Sequence, residues 1–270
     1  MAVFYDTHAH LTYPDFAQEL PEIVARADAA GITRLISIGT DEASSRRAVQ
    51  LAEQFPNVFA VVGWHPADCL TAPDDVRPLL RQLAQHPKVV ALGETGLDYY
   101  RLPSQKAGAS AADDECYKKK QAALFQQHLE VAAETGLNCV IHQRGDAFED
   151  TIGLLEPFTA RVRGVFHCFA GTPATVRRVL DLGSLVSFTG ILTFKNGQNI
   201  REALAATPEG QFMLETDSPF LAPVPYRGKR CEPAYVKEIA QVAAEVKACS
   251  LEALSEMTCK TAREFFAKLQ

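Results

Sequence analysis

Residues 3–11, VFYDTHAHL, decide the fold. The run Val3–Thr7 has the β-branched and aromatic character of a strand, and the stretch DTHAHL that completes it contains no glycine. An open, doubly wound α/β sheet advertises itself here with a glycine-rich phosphate-binding turn after its first strand. The absence of that turn points to the other common architecture of alternating strands and helices, the closed barrel.

Outward from this segment, short β-branched runs keep alternating with amphipathic stretches. Strands are expected at Val3–Thr7, Arg34–Ile38, Val58–Gly63, Val89–Gly93, Asn138–Ile141, Gly164–Phe166, Leu185–Phe188 and Phe212–Glu215. Helices are expected at Asp15–Ala30, Glu42–Gln54, Asp74–His86, Tyr117–Thr135, Ala147–Pro157, Pro173–Leu182 and Gln198–Ala205, with Pro233–Val246 and Leu251–Lys268 after the last strand. In Tyr117–Thr135 the apolar residues Leu124, Phe125, Leu129, Val131 and Ala132 recur at helical spacing, and Gly136 marks the stop. Eight βα units in this order predict an α/β fold, a (β/α)8 TIM barrel with an extra C-terminal helix. The whole chain, 1–270, reads as a single domain, since such barrels use ~200–250 residues as one unit. The segment Arg101–Cys116, RLPSQKAGASAADDEC, has no apolar period and reads as a long exposed loop, mobile or lid-like.

Composition narrows the class. Hydrophobic residues make up 47% and charged residues 22%, which excludes a disordered chain, a collagen-like fibre and a coiled coil. No apolar run approaches the ~18 residues of a membrane span, and MAVFYDTHAHL lacks the basic and apolar regions of a secretory signal. Seven cysteines, an odd number without a CxxC pair, read as reduced thiols of a cytoplasmic protein. The net charge of −6 argues against gripping nucleic acid through a basic surface; phosphates would need a local device such as bound metal ions.

The polar residues fall where a barrel keeps its chemistry, at the C-terminal ends of strands. Five of the seven histidines lie at expected strand ends: His8 and His10 after the first, His65 after the third, His142 after the fifth and His167 after the sixth. Only His86 and His128 fall in expected helices. Glu94 ends the fourth strand and Asp217 leaves the very apolar eighth, FMLETD. His8 and His10, two apart on extended chain, point the same way and can grip one cation. Either could equally be a hydrogen-bonded histidine, and Asp217 could be a turn cap. Taken together, four histidines, a glutamate and an aspartate form two sets of nitrogen and oxygen ligands. They suit Zn²⁺, Mn²⁺, Fe²⁺ or Co²⁺, and Mg²⁺ less well.

The motifs around these residues agree in kind and order with one family. DTHAHL (6–11), GWHP (63–66), GETGLDYY (93–100), IHQR (141–144), HCFAG (167–171), SFTGILTFKN (187–196) and ETDSPFLAPVPYRGKRCEP (215–233) span essentially the whole chain. The chain resembles the TatD family of metal-dependent deoxyribonucleases, amidohydrolase-like (β/α)8 barrels. The resemblance implies two divalent metal ions (Mg, Mn or Zn). One would be held by His8, His10, Glu94 and Asp217, the other by Glu94, His142 and His167, with Glu94 bridging. It places His65 near the substrate phosphate. Two departures stand out: an extra Gly145 in His142-Gln143-Arg144-Gly145-Asp146-Ala147, which unsettles the role of Asp146, and the length of the Arg101–Cys116 loop.

The implied chemistry is hydrolysis of DNA phosphodiesters by a water activated between two cations. Asp217, Glu94 and His65 would be catalytic, with Asp217 as general base. His65, Arg144 and Arg227 would bind substrate, with Lys229 and Arg230 on the flanking backbone. The alternative for YRGKR is an ordinary solvated turn. The expected activity is that of an exonuclease on single-stranded DNA ends, carried by a monomer or weak oligomer with no membrane partner. The alternative is a hydrolase of small molecules, amides or aminoacyl esters on the same barrel. Related two-metal sites often use a carboxylated lysine where Glu94 stands, which favours the phosphodiesterase. A non-catalytic binding platform would be expected to have lost at least one ligand.

Overall fold

The computed structural model of the protein describes residues 2–105 and 107–269. Eight strands form one parallel sheet in chain order: β1 (Phe4–Ala9), β2 (Ile32–Ile38), β3 (Val58–Val62), β4 (Val89–Asp98), β5 (Asn138–Arg144), β6 (Gly164–Phe166), β7 (Leu185–Phe188) and β8 (Phe212–Leu214). The crossovers carry α1 (Leu20–Ala29), α2 (Glu42–Gln54), α3 (Arg77–Ala84), α4 (Ala111–Thr135), α5 (Phe148–Leu155), α6 (Pro173–Asp181) and α7 (Gln198–Ala206). After β8 come α8 (Val236–Lys247) and the extra helix α9 (Leu251–Phe265). This is a (β/α)8 barrel.

The circle closes where β1 meets β8, and the join is made by few main-chain bonds. Ala9 and Ser218 form a single parallel bridge. The His10 amide donates to the Ser218 carbonyl at 2.8 Å and the Asp217 amide to the His8 carbonyl at 2.9 Å. Side chains supplement them. Asp6, fully buried, accepts from the Thr216 amide at 2.9 Å and from its hydroxyl at 2.6 Å. Burial pushes the Asp6 carboxyl up to about 8 despite those bonds.

Ile36, Ile38, Val61, Val90, Val140, Val165, Leu185 and Met213 fill the barrel interior toward its N-terminal end. Phe265 and Phe266 from the end of α9 pack into the same cluster. The Phe265 carbonyl accepts from Asn138 at the start of β5, and Lys268 reaches the carbonyls of Ala84 and His86 just before β4. The C-terminal helix therefore plugs the N-terminal end and leaves the other end free for a site.

Three local expectations need correction. The loop 101–116 is shorter than its composition suggests, because Ala111–Cys116 already belong to α4. Ser110 supplies the stop: its amide donates to Asp113 Oδ2 at 2.7 Å, and Asp113 and Asp114 sit in the first turn, where acidic residues favour a helix. The remaining half is not a free lid, since Asp114 accepts from the Ser104 amide at 2.8 Å and hydroxyl at 2.6 Å; Lys106 lies outside the described residues. Strand β4 does not end at Gly93 but runs to Asp98. Gly96 has φ +133°, and a Cβ there would meet the His142 carbonyl oxygen at 2.1 Å, so glycine lets β4 press close to β5 and keep pairing as far as Asp98 and Arg144. Finally, His86 lies in the turn after α3, not in a helix.

Candidate metal centre

Strand periodicity brings the polar residues inward. Val140 lies in the interior layer, and His142, two residues on, lies above it. His167 follows Val165 by the same step just past the end of β6, and Glu215 follows Met213 just past β8; Asp217, at φ +58°, lies beyond the strand. The structure brings together His8, His10, Glu94, His142, His167 and Asp217, which lie up to 209 residues apart, and adds His65.

Glu94 stands at the centre, buried, with its two oxygens facing different partners. Oε2 lies 3.3 Å from His8 Nε2 and 3.7 Å from His10 Nε2. Oε1 lies 2.7 Å from His167 Nε2, 2.9 Å from His142 Nδ1 and 3.6 Å from His65 Nε2. Asp217 Oδ1 closes the first group, 3.3 Å from His10 Nε2 and 3.7 Å from His8 Nε2. Three groups have ligand atoms mutually within 4.8 Å: His8, His10 and Asp217; His8, Glu94 and His167; His65, Glu94 and His142.

These groups suit cations better than one another. Both nitrogens of His8, His10 Nδ1, Glu94 Oε2 and His167 Nδ1 are buried without a hydrogen-bond partner. An unpaired buried polar atom is costly, and two of these, His8 Nε2 and Glu94 Oε2, face each other within the cluster and mark a place that suits an ion. His8 Nε2 and Glu94 Oε2 approach to 3.3 Å without the alignment of a hydrogen bond. Nitrogen and carboxylate donors in these proportions fit a pair of divalent transition-metal or zinc ions.

Electrostatics agree. Burial would raise the Glu94 carboxyl, but His167, His65 and His8 and the bond to His142 outweigh it and hold it well below the usual range. Burial likewise opposes charge on Asp217, yet the bond to His10 keeps its carboxyl low. His65 is depressed to about 4 by burial and so is neutral at pH 7.

Sequence reading missed the residues that hold the ligands. Asp98 Oδ2 lies 3.1 Å from His142 Nε2, leaving Nδ1 to face Glu94. Glu215, buried, accepts from the Cys168 amide at 2.7 Å and lies 3.6 Å from His167 Nδ1. Carboxylates behind metal-facing histidines fix tautomer and ring orientation. The alternation that marks Asp217 would also have marked Glu215 two residues earlier.

The centre opens into a cavity of about 800 Å³. Arg144 lines it, with its guanidinium 4.1 Å over the Tyr100 ring. Arg227 does not: its guanidinium lies 3.7 Å over Phe194 and donates to the Ala222 carbonyl. Arg230 is engaged by Glu19 and Glu232, and Lys229 is exposed on the same turn. The basic turn YRGKR is thus a solvated, internally paired surface segment, not a lining of the site. Asp146 is exposed and off the cavity. All seven cysteines are free thiols, and no described helix is long and apolar enough to cross a membrane.

The sequence profile described as TatD related DNase matches residues 5–267. The uncharacterized metal-dependent hydrolase YabD of Bacillus subtilis (strain 168) is 35% identical over 265 residues, 98% of this chain and 99% of its own. A protein of Klebsiella pneumoniae (strain 342), named 3'-5' ssDNA/RNA exonuclease TatD, is 32% identical over 268 residues, 97% of each chain. The crystal structure of the TatD homologue YjjV of Escherichia coli K12 superposes with a TM-score of 0.88 over 98% of each chain at 24% identity, a likeness of fold.

Proposed function

The chain belongs to the TatD family of related DNases, metal-dependent hydrolases, and from that premise we propose that it removes nucleotides from single-stranded DNA ends by hydrolysing phosphodiester bonds. One observation carries the reading most: the two oxygens of a single buried carboxylate, Glu94, face two different sets of imidazoles. That is the arrangement of a bridging ligand. The 3'-5' direction in the name of the K. pneumoniae relative is extended to this chain on that relative's 32% identity.

In this reading His8, His10, Glu94 and Asp217 would hold one cation, and Glu94, His142 and His167 the other. When bound, such a pair lowers the pKa of an attacking water, binds a phosphate oxygen and stabilises the leaving alkoxide. The protein does the rest. Asp217, kept ionised beside His10, takes the proton of the attacking water. His65, neutral and at the inner wall of the cavity, gives one hydrogen bond to a phosphate oxygen. Arg144 at the rim offsets phosphate charge, while Asp98 and Glu215 keep His142 and His167 in place. Arg227 lies on Phe194 and does not line the cavity, so this reading assigns it no role. The local site, not the net charge of −6, then sets the attraction for a polyanion. Residues 1–270 act as one catalytic domain, cytoplasmic and monomeric or weakly oligomeric.

The test is hydrolysis of an end-labelled single-stranded oligonucleotide, with chelator and after restoring Mn²⁺, Mg²⁺ or Zn²⁺, beside an aminoacyl ester and an amide. Stepwise shortening of the oligonucleotide, lost with chelator, is expected. Activity that survives metal removal, or an enzyme that cleaves only the ester or amide, overturns the proposal.

A further inference from the structure

The cavity mouth has two unlike sides. Arg101, Gln143 and Arg144 line one part of it. Tyr13, Ile191, Phe220 and Leu221 line another. Of the large hydrophobic side chains left exposed among the described residues, two are aromatic, Tyr100 and Phe220. Tyr100 carries Arg144; Phe220 stands in the mouth with about half of its surface, 49%, open to solvent.

Phe220 is held firmly, close to the chemistry. Its amide donates to the Asp217 carbonyl at 2.9 Å, so the ring is one turn from the proposed base. The Tyr13 ring stacks on His10 at 4.7 Å with 27° between planes. Phe220 meets His10 at 6.1 Å and 69° and Tyr13 at 5.9 Å and 82°. Both contacts are edge-on, so neither neighbour lies flat against the Phe220 ring. A half-exposed aromatic ring beside a metal-fitting cluster, in a cavity that also presents guanidinium groups, matches a ligand with both a flat apolar ring and phosphates. Every nucleobase has a π-face, so such a platform tolerates any sequence.

We propose that Phe220, braced by Tyr13, is the platform on which the terminal base of a single strand stacks, placing the adjoining phosphodiester over the Glu94 centre while the backbone runs toward Arg144. The inference rests on the nuclease reading above and adds what positions the strand.

The test compares oligonucleotides ending in thymidine and in 5,6-dihydrothymidine, which keeps the hydrogen-bonding edge but is puckered and lacks the π-face. The wild type is expected to favour thymidine ~10-fold in kcat/KM, mainly through KM. Phe220→Leu keeps apolar bulk and should bring the ratio near one; Phe220→Trp should keep or raise it. Metal content and thermal midpoint, matched to wild type, show that both variants are intact. A terminal 2-aminopurine should also be quenched on binding the wild-type protein, a readout that needs no variant. If the wild type cuts oligonucleotides but does not distinguish the two ends, or Phe220→Leu leaves the ratio unchanged, or 2-aminopurine is not quenched, the platform is wrong and the nuclease reading stands. If no strand is cut with any divalent ion, both fall.

Discussion

The two ends of the barrel are made by the same strands and behave in opposite ways. Toward the N-terminal end the inward positions are Val140, Val165 and Met213, and α9 lays Phe265 and Phe266 against them. Two residues further along, the same inward register delivers His142, His167 and Glu215, with Asp217 beyond. In β5 the strand itself runs on through His142, whereas β6 and β8 end just before His167 and Glu215. The comparison teaches that the packed layer fixes the polar layer above it, in which some atoms, such as His8 Nε2 and Glu94 Oε2, stay unpaired. Close packing at the apolar end limits how far the histidines on the Oε2 side of Glu94 can shift toward it.

The sharpest way to break this division is Glu94→Ala. It should lower kcat/KM by ~10³-fold or more, the scale of an essential charge-stabilising group, and strip bound metal measured by elemental analysis. Its folding midpoint should fall, since His167 and His142 lose the buried charge that faces them. Next, Phe266→Ala at the plugged end should cost about 3–5 kcal/mol in urea unfolding and leave kcat of the folded enzyme unchanged. A large fall in kcat there would show that the two ends are not separable. Third, Asp98→Asn should weaken metal affinity or activity by ~10–100-fold with little change in stability, read by metal titration beside the unfolding curve.

The smallest effect concerns His128, a buried histidine of the opposite kind. Its Nδ1 lies 2.8 Å from the Leu124 carbonyl and its Nε2 accepts from the Trp64 amide at 3.1 Å. Burial depresses it to about 4, against the bond to Leu124. Between pH 6.5 and 4 the unfolded chain therefore binds a proton that the native state does not, and stability falls with acidification at ~1.4 kcal/mol per pH unit. At pH 5 the loss is about 2 kcal/mol relative to pH 7. His128→Gln should flatten that slope in urea unfolding at the two pH values; an equal slope would assign the loss to other groups.

His128 and His8 also show how much the sequence could reveal. Both are histidines amid apolar residues, and residue type alone does not separate them. Position in the βα order does: His128 falls within a helix, His8 at the top of a strand. All eight strands and the gathering of His8, His10, Glu94, His142, His167 and Asp217 at one end were legible in this way, because alternation and strand order are local properties of the chain. What was not legible depended on partners distant in sequence. Asp98 looked like part of a loop because β4 continues only where Gly96 lets it approach β5. Ala111–Cys116 looked irregular because a helix start stabilised by Ser110 and Asp113 carries no apolar period. Arg227 looked like a phosphate contact because charge is visible in a sequence, whereas its stacking on Phe194 is not.

The join between β1 and β8 has a mechanical consequence. Two of the few main-chain bonds that fasten it, His10 to Ser218 and Asp217 to His8, run through the residues that form the first ligand group. The ring and the active centre therefore share a latch. Parting the first strand from the last would draw His10 and Asp217 away from each other in the same motion, so the closure of the circle and the spacing of this pair are fixed by the same bonds.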